Sequence, residues 1–156
     1  MIRSFLFVPG DSERKLEKAL GVGADAIIVD LEDSVNAENR PRARELAREY
    51  IEGQEDIWLR INPVDSGEAM ADLQAVMAAA PSGIGLPKAR SADDATRLAT
   101  KLDELESRFD VAAGHTRILP LCTERPRALF SLDSYVGATP RLAGLTWGAE
   151  DLSAAL

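Results

Sequence analysis

The sequence predicts an α/β protein with a parallel sheet, and two observations lead to that fold class. Short apolar runs alternate strictly with longer amphipathic segments, which is the pattern of strands joined by crossover helices. Hydrophobic residues make up 46% of the 156-residue chain and charged residues 28%, proportions typical of a globular domain. We therefore expect one domain over residues 1–156, with six strands that begin near residues 4, 26, 57, 83, 117 and 142.

The first two strands are predicted at residues 4–8 and 26–29, both of them short apolar runs. A proline and a glycine close the first run, as expected at a turn. Asp11 and Ser12 are suitable N-caps for the helix between the two strands. The apolar face of that helix is formed by Leu16, Ala19 and Leu20.

The middle of the chain predicts two further strands, at residues 57–61 and 83–86. A second helix is expected before them, from Asn39–Pro41 to the stop at Gly53, and a third between them, over residues 67–79. Ser91, with Asp94 three residues later, has the form of a capping box at the start of a fourth, clearly amphipathic helix. The charged face of this fourth helix is expected to be solvated; it comprises Lys101, Asp103, Glu104, Glu106 and Arg108.

The last two strands are predicted at residues 117–121 and 142–147. A short helix is expected between them. Its apolar side chains are expected to pack against the core, and they are Leu129, Phe130 and Leu132.

Two architectures fit parallel strands joined by crossover helices: an open doubly wound sheet and a (β/α)₈ barrel. The doubly wound fold predicts a glycine-rich phosphate-binding turn after the first strand. Only Gly10 stands in that turn, and neither glycine-rich phosphate motif occurs in the sequence. Polar residues instead follow nearly every strand, which is how a barrel builds its site. Because a barrel has eight strands, we expect a truncated barrel of about six βα units.

Glu124 and Asp151 each follow a short apolar run, at the ends of the fifth and sixth predicted strands. The carboxyl ends of parallel strands meet at one rim, so the two acids are expected to converge there. Paired carboxylates suit Mg²⁺, which keeps several waters that a substrate can replace. The alternative is that both acids are solvated residues at the start of loops.

Arg60 interrupts the apolar run of the third strand, and an arginine in a buried strand needs an anionic partner. Two alternatives remain open, a bound ligand and a structural ion pair. The second strand likewise runs into acids that form either a solvated loop or part of the same rim, namely Asp30, Glu32 and Asp33.

Charge and residue counts exclude several function classes. The net charge of −8 argues against a nucleic-acid surface, which needs a basic stripe. Cys122 is the single cysteine, so no disulfide can form within the chain, and His115 is the single histidine, so multi-histidine zinc sites are excluded. The apolar start of the chain is too short for a signal peptide or a membrane span. We therefore expect a cytoplasmic protein with no membrane partner.

Six stretches of the sequence together resemble the HpcH/HpaI aldolase/citrate lyase family, in its citrate lyase β-subunit-like branch. They are RSFLFVPGDSERKLEKA, IIVDLEDSV, LRIN, LPKA, ILPLCTERP and LAGLTWGAEDLSA, in family order along the chain. The resemblance implies a (β/α)₈ barrel of the phosphoenolpyruvate/pyruvate type, a Mg²⁺ cofactor and a homo-oligomer, a trimer or a hexamer. It also implies cleavage or formation of a carbon–carbon bond in a β-hydroxyacyl-CoA thioester. Two alternatives are a 2-oxo acid aldolase that does not use CoA and a non-catalytic truncated barrel.

The resemblance also implies roles for individual residues. Glu124 and Asp151 match the family's two metal-binding acids, and Arg60 matches the arginine that contacts substrate oxygens. Glu32 and Asp33 match acids near the metal and its waters, and we group them with Arg60 as catalytic. The residues expected to bind substrate or CoA, in addition to Arg60, are Arg3, Arg14, Lys15, Lys18 and Lys88.

Overall fold

The computed structural model describes residues 2–156. Five parallel strands form one sheet in the order β1-β2-β3-β4-β5, so each strand lies beside its neighbour in the sequence. This arrangement confirms the predicted α/β class with a parallel sheet, since crossover helices place successive strands side by side. The strands are β1 (Phe5–Pro9), β2 (Ala26–Asp30), β3 (Ile57–Arg60), β4 (Gly83–Leu86) and β5 (Arg117–Pro120).

The predicted helices form between these strands. The fourth is the longest, and it buries the leucines of its amphipathic face against the main core. In residues 2–156 no helix is both long and apolar enough to cross a membrane. The α-helices are α1 (Glu13–Ala19), α2 (Arg40–Ile51), α3 (Ala69–Val76), α4 (Ala92–Phe109) and α5 (Ala149–Ala155). Short 3₁₀ helices span Ala37–Asn39, Met77–Ala79 and Pro126–Tyr135.

The two faces of the sheet bury different side chains. One face packs against the helices and forms the main core. The opposite face carries a smaller apolar cluster that includes Ile28, Trp58 and Leu119. Asp30 and Arg60 follow Ile28 and Trp58 by two residues on their strands. Because side chains alternate along a strand, Asp30 and Arg60 lie on that same face, nearer the carboxyl ends.

The sixth predicted strand, at residues 142–147, is not a regular strand. It runs beside β5 and parallel to it, but joins it only through two isolated bridges. Pro120 of β5 lies between the two bridges and has no N–H to donate. The hydrogen-bond ladder between β5 and this segment therefore breaks at Pro120, and the pairing of the two segments shifts by one residue. The bridges pair Ile118 with Leu142 and Leu121 with Thr146.

The segment that follows β5 is anchored by a buried ion pair that contradicts one prediction. Glu106 of α4 was expected on a solvated face, but it is 1% exposed. Both of its carboxylate oxygens accept hydrogen bonds from Arg141, at 2.8 and 2.6 Å. They also accept from the backbone amides of Thr116 and Gly114, at 2.9 and 2.8 Å. Such complete pairing is what allows a charge to be buried.

One local prediction was wrong, and a second is confirmed only in part. Phe130 was expected in the core but is 89% exposed, because the turn after β5 winds as a 3₁₀ helix and directs this side chain outward. The capping box at α4 is incomplete. The Ser91 hydroxyl does accept from the amide of Asp93, at 3.3 Å, but the Asp94 carboxylate accepts from the amide of Arg90, at 3.0 Å. The Arg90 side chain pairs with the same carboxylate and holds it there.

Candidate active site

A group of charged side chains collects at the carboxyl ends of the strands. Asp30 ends β2 and Arg60 ends β3, and the two are paired in register. Lys88 follows β4 by two residues, and Glu124 follows β5 by four. The parallel sheet therefore brings to one rim most of the polar residues that the sequence singled out, as the barrel prediction requires.

Asp30 and Arg60 form a two-point ion pair. Nε of Arg60 donates to Oδ1 of Asp30 at 2.7 Å, and Nη2 donates to Oδ2 at 2.8 Å. Burial raises the pKa of Asp30, but the hydrogen bonds and charge of Arg60 outweigh that effect and hold the pKa below its usual value. Asp30 is therefore ionised at neutral pH. The structural ion pair that the sequence left open as one alternative is present.

The remaining nitrogen of Arg60 points toward the other acids. Its Nη1 lies 3.4 Å from Oε2 of Glu32, 3.4 Å from Oδ2 of Asp33 and 4.0 Å from Oε1 of Glu124. Arg60 also lies over the ring of Phe7, with 5.1 Å between the guanidinium carbon and the ring centroid. Nε and Nη2 of the guanidinium are thus occupied by the ion pair with Asp30, while Nη1 faces the open rim.

Three carboxylates form the densest acidic cluster at the rim. Oxygens of Glu32, Asp33 and Glu124 all lie within 4.8 Å of one another. Glu32 is 6% exposed and Glu124 is 3% exposed. Within the described residues, Oε2 of Glu32 and Oε1 of Glu124 are buried and accept no hydrogen bond. Buried carboxylate oxygens without donors are costly, and a hard cation with oxygen ligands would satisfy them. The donor set therefore fits Mg²⁺.

The pKa values of the two glutamates show how crowded this cluster is. Burial, together with the charges of Asp151 and Glu32, raises the pKa of Glu124 to about 7, against a hydrogen bond from the amide of Lys88. Burial also raises the pKa of Glu32, against the opposing effects of Lys88 and Arg60. Both raised pKa values mean that the surroundings disfavour the charged carboxylate of each glutamate, whereas a bound cation would favour it.

Lys88 contacts the cluster through both its backbone and its side chain. Its amide donates to Oε2 of Glu124, and its ammonium donates to Glu32 and, at 3.0 Å, to Asp33. The backbone of Lys88 is left-handed, with φ of 51°, which is unusual for a residue other than glycine. This conformation lets one residue reach the acids from both β2 and β5.

Asp151 lies at the same rim but outside the densest cluster. It stands in the first turn of α5, and its Oδ1 is 3.8 Å from Nζ of Lys88. It lines one cleft together with Phe7, Arg60, Glu124 and Trp147. The structure thus brings together the two acids predicted as metal ligands, and it places Glu32 and Asp33 beside Glu124.

The basic residues predicted to bind CoA divide into two locations. Arg14, Lys15 and Lys18 lie exposed along α1, which begins just past the carboxyl end of β1, and they line a shallow groove. Arg3 is not brought to the rim. Its side chain pairs with that of Asp25 at 3.2 Å. Because Arg3 precedes β1 and Asp25 precedes β2, this ion pair lies at the amino ends of the strands.

Residues 3–156 match the HpcH/HpaI aldolase/citrate lyase family. The chain belongs to this family. A (3S)-malyl-CoA thioesterase of Cereibacter sphaeroides is 34% identical over 97% of the chain and 50% of its own length. A citrate lyase subunit beta of Haemophilus influenzae is 31% identical over 96% of the chain and 52% of its own length. The chain therefore spans about half the length of these relatives.

Solved structures of family members share the fold. The protein CitE from Mycobacterium tuberculosis, in complex with magnesium and acetoacetate, superposes with a TM-score of 0.78 at 30% identity, over 97% of this chain and 56% of that chain. The same protein in complex with magnesium, acetoacetate and coenzyme A gives a TM-score of 0.75 at 31% identity, over 97% and 50%. The likeness confirms the barrel-type α/β fold, and residues 2–156 contribute five regular strands to it rather than the six predicted.

Proposed function

We propose that the chain forms the metal and substrate rim of a Mg²⁺-dependent carbon–carbon lyase, or the reverse synthase, acting on a β-hydroxyacyl-CoA thioester. The products would be an acyl-CoA and a 2-oxo acid. One observation carries the proposal: Glu32 and Glu124 each direct a buried oxygen without a hydrogen-bond donor toward Nη1 of Arg60. This arrangement suits a cation and an oxygen-rich substrate side by side.

The acids at the rim supply the ligands for magnesium in this proposal. Glu124 and Asp151 are the proposed ligands, and Glu32 and Asp33 hold the waters around the ion. When bound, magnesium supplies Lewis-acid stabilisation of negative charge on substrate oxygens. The two-point pair with Asp30 keeps Arg60 charged and fixed, so Nη1 can hold a substrate carboxylate or carbonyl oxygen without reorganisation.

The reaction fits this distribution of charge. In the cleavage direction a base takes the proton of the substrate hydroxyl, the adjacent carbon–carbon bond breaks, and the electron pair of that bond passes to the thioester as an enolate. Protonation of that enolate at carbon gives the acyl-CoA, while the former hydroxyl carbon becomes the carbonyl of the 2-oxo acid. Arg60 favours the bond-breaking step because negative charge on oxygen is greatest there.

The groove on α1 supports a CoA substrate over a free acid. Arg14, Lys15 and Lys18 are three exposed cations on seven helical residues, beside the start of the rim. A free 2-oxo acid has no phosphate groups that these cations could bind, whereas CoA carries several. A related structure holds coenzyme A.

A second candidate is hydrolysis of the thioester itself. It is favoured by two relatives, 34% and 35% identical to the chain, that are (3S)-malyl-CoA thioesterases. Hydrolysis would use the same metal and the same CoA groove but would break the carbon–sulfur bond. The two reactions differ in their products, since hydrolysis releases free CoA thiol and no 2-oxo acid.

Product analysis with (3S)-malyl-CoA and citryl-CoA tests both candidates. The lyase yields acetyl-CoA and a 2-oxo acid, measured as its phenylhydrazone, whereas the thioesterase yields a free thiol. We expect the 2-oxo acid, with turnover abolished by chelation and restored by Mg²⁺. Glu124→Gln should be inactive, and Glu45→Gln, an exposed acid on α2, serves as the matched control. Free thiol without 2-oxo acid would replace the lyase with the thioesterase. Absence of both products in a chain that binds Mg²⁺ would contradict catalysis by this chain.

A further inference from the structure

A buried carboxylate on α3 lies outside the candidate site but is connected to it. Asp72 is 0% exposed. Its Oδ2 accepts hydrogen bonds from the backbone amide and the side-chain amide of Asn62, both at 2.8 Å. Its Oδ1 accepts from Nε of Arg44 at 2.8 Å. With a donor on each oxygen, the buried charge is satisfied, and the orientation of Asn62 is fixed from two points.

Asn62 carries this connection to the rim. Its side-chain amide also donates to the carbonyl oxygen of Leu31, at 3.0 Å. On the other side of the same peptide unit, the amide of Glu32 donates to Oδ1 of Asp30, at 3.0 Å. The peptide between Leu31 and Glu32 is therefore held at both its oxygen and its nitrogen. The Glu32 side chain extends from this doubly held peptide.

We infer that Asp72 and Asn62 are positioning residues that fix the backbone of Glu32 and thereby aim its unpartnered oxygen into the acidic cluster. The inference rests on the proposed function, because the cluster that they serve is the proposed magnesium site. Asn62 acts through the Leu31 carbonyl, and Asp72 acts through Asn62. Groups that surround the ligands of a metal ion, as Glu32 does in the proposed site, typically change metal affinity by about 10–100-fold when they are lost or misplaced.

Three substitutions separate positioning from stability. Asn62→Ala removes the bond to Leu31 but keeps the backbone amide that donates to Asp72. Asp72→Ala removes the acceptor of both the backbone amide and the side-chain amide of Asn62. Arg44→Gln is the matched control, since it breaks the ion pairs with Asp72 and Glu68 on the outer side of the network and leaves the contact between Asn62 and Leu31 in place.

The first readout is the affinity for Mn²⁺, a magnesium substitute that can be titrated by electron paramagnetic resonance. We expect Asn62→Ala and Asp72→Ala to weaken Mn²⁺ binding by about 10–100-fold. Arg44→Gln should lower the unfolding temperature but bind Mn²⁺ as the wild type does. A purely structural network predicts instead that all three variants lose stability and that none loses affinity while folded.

The second readout requires no metal. In protein labelled with ¹³C at the glutamate carboxyl carbons, the Glu32 signal is identified by its disappearance in Glu32→Gln. We expect this signal to shift in Asn62→Ala and Asp72→Ala and to stay in place in Arg44→Gln. If one of the first two variants does not fold, the other makes the same comparison. An unmoved Glu32 signal overturns the inference, whereas a wild-type chain that binds no Mn²⁺ overturns the proposed function and leaves this readout valid.

Discussion

Gly148 lies directly against the side chain of Glu124. A Cβ atom at position 148 would fall well inside van der Waals contact with Cγ of Glu124, so only glycine leaves room for this carboxylate. The Gly148 amide also donates to the hydroxyl of Thr123, at 2.8 Å. The segment after the sixth predicted strand therefore shapes the acidic cluster through its backbone, in addition to presenting Asp151.

Gly148→Ala should displace Glu124 and weaken metal binding. Glu124 is buried and held by the amide of Lys88, so it cannot move aside without losing that bond. We expect Mn²⁺ affinity to fall by about 10–100-fold, as for other changes that misplace a ligand. Gly144→Ala is the matched control on the same segment, because its Cβ would meet only Leu119, at 3.9 Å. Equal affinity in the two variants would show that Glu124 does not bind the ion.

Arg60→Lys should lower kcat much more than it raises KM. Lysine keeps the positive charge but cannot pair with Asp30 at two points and present a further nitrogen to substrate. Loss of one donor that stabilises oxyanion charge typically costs about 10²–10³ in rate. Steady-state kinetics with the CoA thioester measure the changes in kcat and KM separately. Arg42→Lys, in an exposed pair with Glu45, is the control. A change confined to KM would mean that Arg60 contributes only to binding.

Most of the candidate site could be predicted because it depends on where strands end. Arg60 stands at the end of an apolar run, and Glu32, Lys88 and Glu124 each stand shortly after one. A parallel sheet brings such positions to one rim. The partner of Arg60 could not be assigned in this way. The register of β2 against β3 places Asp30 opposite Arg60. That register is set by packing along both strands.

The parts that the sequence did not predict depend on contacts between distant segments. Glu106 has the spacing of a solvated helix face, and only the return of the chain at Arg141 supplies its partner. The sixth strand has the right composition, but Pro120 on its neighbour interrupts the ladder. Both outcomes arise from a second segment whose position is fixed by the tertiary fold.

Charge reversal on α1 should weaken CoA binding. Lys15→Glu and Lys18→Glu each remove an exposed cation from the groove and add a repulsive charge. An exposed ion pair contributes about 0.2–1 kcal/mol and is screened by salt, so we expect each charge reversal to weaken CoA binding by about two- to tenfold in low-salt calorimetry. Arg3→Glu is the control, since Arg3 lies at the amino ends of the strands. A loss of affinity in Arg3→Glu equal to that in the α1 variants would place the CoA site elsewhere.

The Glu106–Arg141 pair should make the stability of the fold depend on acid pH. Burial raises the pKa of Glu106, but the hydrogen bonds from Arg141, Thr116 and Gly114 outweigh that effect and lower the pKa from 4.5 to about 2. A group with a lowered folded-state pKa stabilises the fold above its unfolded value. Its contribution is then lost as the pH falls from about 4.5 toward about 2.

Urea unfolding as a function of pH measures this contribution. In the wild type, Glu106 should contribute a loss of up to about 1.4 kcal/mol per pH unit within the window, since one proton is taken up on unfolding. Glu106→Gln should be less stable at neutral pH and should show a correspondingly smaller slope between the two pKa values. Glu104→Gln, an exposed acid on the same helix, should keep the wild-type slope. If Glu106→Gln also keeps the wild-type slope, another group is responsible for the acid sensitivity.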